Sequence, residues 1–134
     1  MENLYMEQQI IPHPILIQAI QVAPNQILMT YDQRTDFTSA TNVSNYWLRS
    51  NMGAVGIASV NMLDALTAEN AIRPDMARIT PVDNTKMRYI MAFGTSATRG
   101  VMYTMLPCFV NLEGMVGYRG ENWGPFSRNM FLGM

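Results

Sequence analysis

Cysteine and histidine occur once each in 134 residues, as Cys108 and His13. A disulfide framework needs paired thiols and a structural zinc site needs several Cys or His ligands, so neither staple is open to this chain. Charge is scarce as well: Asp, Glu, Lys and Arg make up 14% of the residues, where an average soluble domain carries about 25%. A net charge of −1 and a pI near 5.7 leave no basic footprint for nucleic acid and no polybasic patch for anionic lipid. Long hydrophobic runs are also missing. The longest, Gly100 to Val110, is interrupted by Thr104 and Pro107 and has about half the length that spans a bilayer, so membrane insertion is not expected. Met1 to Glu7 holds two acids and no basic n-region, which argues against a classical signal peptide.

What is present points to burial. Hydrophobic residues make up 49% of the chain, and a chain of this mass can bury about two thirds of its unfolded surface, so one domain, or one domain with an arm, needs no staple. The nine basic residues are eight Arg and a single Lys, Lys86, beside thirteen Met and six Tyr. Interface cores favour Tyr, Trp, Phe, Met and Arg and lose Lys, because Arg is weakly hydrated and the others bury much area. Drift of codon usage towards AT would instead raise Lys at the expense of Arg. The composition therefore points to self-association.

Along the chain, Pro12-His13-Pro14 holds the backbone extended and leads into an apolar strand, Ile15 to Val22. Pro24-Asn25 makes a turn, and Gln26 to Asp32 alternates with Ile27, Met29 and Tyr31 on one face. Asp32 to Asn45 is a polar loop. Tyr46 to Arg49 and Ala54 to Val60 read as strands, and Met62 to Ile72 as a short helix ended by Pro74. Lys86 to Phe93 alternates most clearly, with Met87, Tyr89, Met91 and Phe93 on one face. Val101 to Phe109 is a buried strand, Asn111 to Gly114 a turn, Gly114 to Gly124 a Gly-rich loop, and Arg128 to Leu132 a last strand. Short strands separated by turn residues, with at most one helix, predict an all-β antiparallel sandwich of Ig-like or jelly-roll type. The expected division is an N-terminal arm, residues 1–22, and a sandwich with a C-terminal extension, residues 23–134.

Gln26-Ile-Leu-Met-Thr-Tyr-Asp32, the Asn45-Tyr46 pair, Val82-Asp-Asn-Thr-Lys86, Gly100-Val-Met-Tyr103-Thr104 and Asn111-Leu-Glu-Gly114 together resemble bacterial Ig-like domains of the SwmB-like kind, the repeat modules of cell-surface and surface-layer proteins. The resemblance runs from about Ile20 to Gly117. It implies a sandwich and a surface location, and it carries no catalytic motif. The segment Met62 to Ile79 is longer than that family's usual connection, and both termini extend past it.

Candidate chemistry is thin. His13, between two prolines, is the only imidazole, and a triad needs its base held rigidly by a third group. Cys108 lies in an apolar run, where a thiolate is disfavoured. Asp32, Asp36 and Asp83 sit in loops, yet calcium requires six to eight oxygens and clustered acids. The Gly-x-x-Gly spacings at Gly114, Gly117 and Gly120 lack a strand-to-helix setting and a Lys for phosphate. No enzyme, no cofactor and no metal site is expected. Tyr118, Arg119, Trp123 and Phe126 set aromatic and cationic side chains on a Gly-rich loop, suited to a sugar ring, to a partner protein or to plain packing.

The expected function is a self-assembling structural subunit of an extracellular filament, surface layer or appendage. Its arm would be added as a β-strand to a neighbouring copy through Ile11, Ile15, Ile17, Ile20 and Val22. The alternatives are a module that binds surface carbohydrate or a host protein, and a virion component. The expected partner is the chain itself, and the expected location is extracellular or a spore or cell surface.

Overall fold

Ile27, Met29 and Tyr31 alternate with Gln26, Leu28 and Thr30, and this period of two becomes strand β2 (Gln26–Tyr31), with its odd-numbered residues fully buried. The computed structural model describes residues 11–134. Among them, one four-stranded sheet runs in the order β1 (Leu16–Ala23), β2, β6 (Arg88–Phe93), β5 (Ala77–Pro81). The other runs β4 (Val60–Asn61), β3 (Tyr46–Ser50), β7 (Met102–Pro107), β8 (Met130–Leu132). Every ladder is antiparallel except the two-residue β3–β4 pair. The strand order is that of an immunoglobulin-like sandwich. A further mark of that architecture lies between β6 and β7. Tyr103 is fully buried near the start of β7, and its hydroxyl accepts the Thr98 backbone N–H at 2.7 Å, the arrangement by which such sandwiches fix this corner.

Two apolar clusters form. The larger lies between the sheets and includes Leu16, Ile27, Tyr31, Tyr46, Tyr89 and Tyr103. As the alternation requires, Tyr89 and Phe93 are buried while Arg88 is exposed. The smaller cluster sits on the outer face of the second sheet, where Trp47, Leu106 and Cys108 meet Val60, Ala71 and the partly buried Leu66 and Trp123. Trp47 Nε1 pins the covering segment by donating to Thr67 O at 2.9 Å and Asn70 Oδ1 at 2.7 Å.

Four expectations are corrected. Met62 to Ile72 is not a helix; only a 3-10 turn forms, at Ala68–Asn70, because Asn70 accepts the Thr67 N–H and donates to Ala65 O, local bonds that compete with a helix. The strand over Ala54 to Val60 shrinks to β4, since Gly53 (φ 88°) and Gly56 (φ 62°) are left-handed and bend the chain. The polar loop contains one turn of helix, α1 (Phe37–Ala40), capped by Asp36, which accepts the Ser39 N–H at 2.9 Å. Strand β5 forms where the sequence reading placed none.

The boundary drawn at residue 22 also moves. Leu16–Ala23 is a strand of this chain's own sheet, bonded to β2 from Leu16↔Tyr31 to Ala23↔Gln26, because Leu16 and Ala19 are needed in the core. Residues 1–10 of the expected arm lie outside the described residues.

Candidate functional site

Strand β1 is the edge of its sheet by order, but half of its outer side is occupied. The chain ahead of β8 runs parallel to it: Leu16 N–H donates to Asn122 O at 2.7 Å, Ala19 N–H to Arg128 O at 2.9 Å, and Arg128 N–H to Ile17 O at 2.9 Å. The sandwich is therefore closed along the β1–β8 side. Ahead of β1, Asn122 Nδ2 donates to Pro14 O at 2.9 Å, and Ile15 N–H donates to Asp32 Oδ1 at 2.8 Å. These bonds hold residues 14 and 15 at one end of the fold.

The five side chains expected at a subunit contact are dispersed by this geometry. Ile11 stands before the fixed point, 36% exposed, and Ile15 is half-buried. Ile17, Ile20 and Val22 are 42%, 38% and 48% exposed, too wet for core positions. Ile20 lies opposite Leu28, Leu28 opposite Ile90, and Ile90 opposite Thr80. An aliphatic row thus crosses the outer face of the first sheet, whereas the outer face of the second is covered by the chain's own Trp47 cluster. Leu28 and Ile90 were missed by the sequence reading, although each sits between two core-facing residues of an alternating strand and must face outward.

The opposite edge, β5, has no strand beside it among the described residues. Val82 N–H donates to Arg88 O and Gly94 N–H to Met76 O, so the bonded pairs of the β5–β6 ladder fall at even-numbered residues of β5. The N–H and C=O groups of Ala77 and Ile79 therefore point away from β6, and they have no backbone partner among the described residues. Pro81 occupies the next outward position, the one place in a strand where a missing N–H breaks no ladder bond. A groove of about 470 Å³ lies along this edge, bounded by Phe37, Val43, Pro74 and Arg78.

The four loop residues do not form one site. Tyr118 stacks on His13 with ring centroids 4.0 Å apart and donates its hydroxyl to Glu121 O at 2.6 Å, which ties the loop to the residues ahead of β1. Trp123 packs into the Trp47 cluster. Arg119 and Trp123 line a groove of about 500 Å³ with Arg49, Phe109 and Glu121. Phe126 stands apart, 94% exposed.

Titratable groups are committed to structure. Burial, then Glu121, pushes the Cys108 thiol up to about 11. Asp32 and Asp36 accept backbone N–H groups of Ile15 and Ser39, and Asp83 accepts from Thr85, whose hydroxyl does most to hold its carboxyl below the usual range. Glu113 bridges Arg34 Nε and Lys86 Nζ, each at 2.7 Å. Among the described residues no three His, Cys, Asp or Glu side chains gather to hold a metal ion.

No family model matches the chain, and no curated protein does. Solved structures do match. The crystal structure of the S-layer protein rSbsC(31-844) superposes with a TM-score of 0.56 at 12% identity, over 90% of this chain and 14% of that one. The structure of surface layer protein SbsC, domains 1-6, gives a TM-score of 0.58 at 12% identity, over 97% of this chain and 14% of that one. The chain thus corresponds to about one seventh of either protein's length, and at this identity the likeness is one of fold.

Proposed function

We propose that this chain is a structural module of a cell-surface assembly, a surface layer or a filament, and that it associates with copies of itself through the residues ahead of Ile15. The observation that carries the reading is the fold: the sandwich superposes along nearly its whole length on domains of an S-layer protein. The chemistry agrees with it, because the carboxylates and the thiol described above are absorbed by local structure. The aliphatic row Ile20–Leu28–Ile90 and the scarcity of Lys suit a surface that meets protein more than water. Strand addition by the N-terminal residues is the proposed connection, with an extracellular or spore-surface setting. Negative-stain microscopy and sedimentation of the full chain test it. Polymers or sheets that shorten when Met1 to Ile10 is deleted support the reading; a full-length monomer at high concentration removes it.

A second reading, a module that binds a saccharide or a host protein, draws on the groove where Arg49 and Arg119 stand beside Trp123 and Phe109. Binding to a glycan array by a monodisperse monomer would put that reading in front.

A further inference from the structure

We infer that the groove along β5 is the acceptor for an extended segment, residues 2–10, of a second copy of this chain. The inference rests on the self-association proposed above and names the surface on which it occurs.

The edge itself is the first argument. Ala77 and Ile79 are only 8% and 6% exposed as whole residues and line the groove, and their outward N–H and C=O groups have no backbone partner among the described residues. Nearly buried backbone donors without a partner are rare in folded proteins, since leaving one unpaired costs about as much as a lost hydrogen bond. An added strand would satisfy both. Phe37, 46% exposed, and Val43 form the far wall, an apolar surface for alternate side chains of that strand, as β-augmentation requires.

The occupant follows from the sequence and from the position of the fixed point. Residues 2–10, Glu-Asn-Leu-Tyr-Met-Glu-Gln-Gln-Ile, contain neither Gly nor Pro. Leu4, Met6 and Ile10 share one parity, and Glu7, of the other parity, can meet the exposed Arg78 at the groove. Nine extended residues reach about 30 Å, and five-residue β5 asks for about 17 Å of that. In contrast, β1 and β5 are opposite edges of one sheet, three strand spacings or about 14 Å apart. A chain that donates beside one edge and accepts at the other makes a head-to-tail contact, which propagates into a filament or sheet without closing on itself.

The test uses the full chain and two variants. Ala77→Pro removes one outward N–H and places a ring in the groove, in a position equivalent to that of Pro81. Arg78→Glu reverses the charge on an exposed side chain. Both are expected to keep the strand spectrum of the parent and to shorten polymers at least tenfold by light scattering and microscopy. Ala77→Pro chains, which keep their own residues 2–10, should also act as terminators when mixed one to ten with the parent. If the parent polymerises and both variants match its length, the β5 groove is not the acceptor and the self-association stands. If the parent is monomeric at every concentration, both readings fall. A monomer whose Ala77 and Ile79 amides are protected from exchange regardless of concentration would show the segment folded back on its own chain, which overturns the inference. Should Ala77→Pro fail to fold, Arg78→Glu carries the test alone.

Discussion

The hydroxyls of Tyr31 on β2 and Tyr46 on β3 lie 2.6 Å apart inside the sandwich, and Tyr46 donates onward to Ala40 O at 2.6 Å. A hydroxyl has one proton, so Tyr31 donates to Tyr46 and the chain of bonds runs from one sheet through the other to the end of α1. Burial is the main cause that pushes both phenols well above the usual range. The two positions should therefore respond unequally to loss of the hydroxyl. Tyr46→Phe strands the Tyr31 hydroxyl and the Ala40 carbonyl and is expected to cost about 1–3 kcal/mol; Tyr31→Phe leaves Tyr46 bonded to Ala40 and should cost about 0.5–1.5 kcal/mol. Urea denaturation of the two variants checks the order, and equal losses would contradict it.

Asn122 ties three segments together. Fully buried, it accepts the Val110 N–H at 2.9 Å and donates to Val110 O at 3.0 Å and Pro14 O at 2.9 Å. Asn122→Ala leaves those backbone groups without a partner and should lower stability by about 1–3 kcal/mol. Hydrogen exchange at Val110 and limited proteolysis near Pro14 should both quicken; protection unchanged at Val110 would argue against this role.

Glu113 governs an acid-side dependence. The hydrogen bond from Arg34, and then that from Lys86, hold its carboxyl at about 2, below its ordinary 4.5. A group whose pKa is depressed on folding contributes its stability above the unfolded value and loses it as pH falls through the folded one. The Tm difference between the parent and Glu113→Gln should thus be present at pH 6 and vanish between pH 4.5 and 2. Because the carboxylate is solvent-exposed the difference will be small, and carbon NMR titration of Glu113 reads the shift directly.

Cys108 should be unreactive. With its thiol raised to about 11 by burial, iodoacetamide at pH 8 is expected to alkylate the folded chain many times more slowly than the urea-unfolded one. Equal rates would mean that the Trp47 cluster opens readily.

The alternating strands were legible because one face of each is buried: Ile27, Met29 and Tyr31, and Tyr89, Met91 and Phe93, announce themselves by period two. Strand β5 was not, since only Ala77 and Ile79 face inward across five residues and Pro81 closes it, a pattern too short to separate from a loop. The helix expected over Met62 to Ile72 failed for the converse reason. Its leucines have helical spacing, yet Thr67 and Asn70 bond the backbone locally, and Trp47, remote in sequence, holds the segment flat. Of the candidate contacts, the exposed isoleucines of β1 could be named from sequence, while the row that Ile20 forms with Leu28 and Ile90 needed the sheet order. The loop residues were grouped by proximity along the chain, and the bend at Gly120 lies between Tyr118 and Trp123, which meet different neighbours.

The parallel seam between β1 and the chain approaching β8 has a mechanical consequence. Pro14 is held by Asn122 at one end of the sandwich, whereas the Met134 N–H is held by the Gln21 side chain at 2.9 Å near the other end of β1. Tension applied between these two ends drags β1 and residues 122–128 past each other along their own axes. The bonds joining Leu16 to Asn122, Ala19 to Arg128 and Arg128 to Ile17 lie across that pull and share it at the same moment. Such a seam gives way as a unit instead of opening bond by bond from one end, so the fold resists stretching most strongly along the line on which its two ends would be tethered.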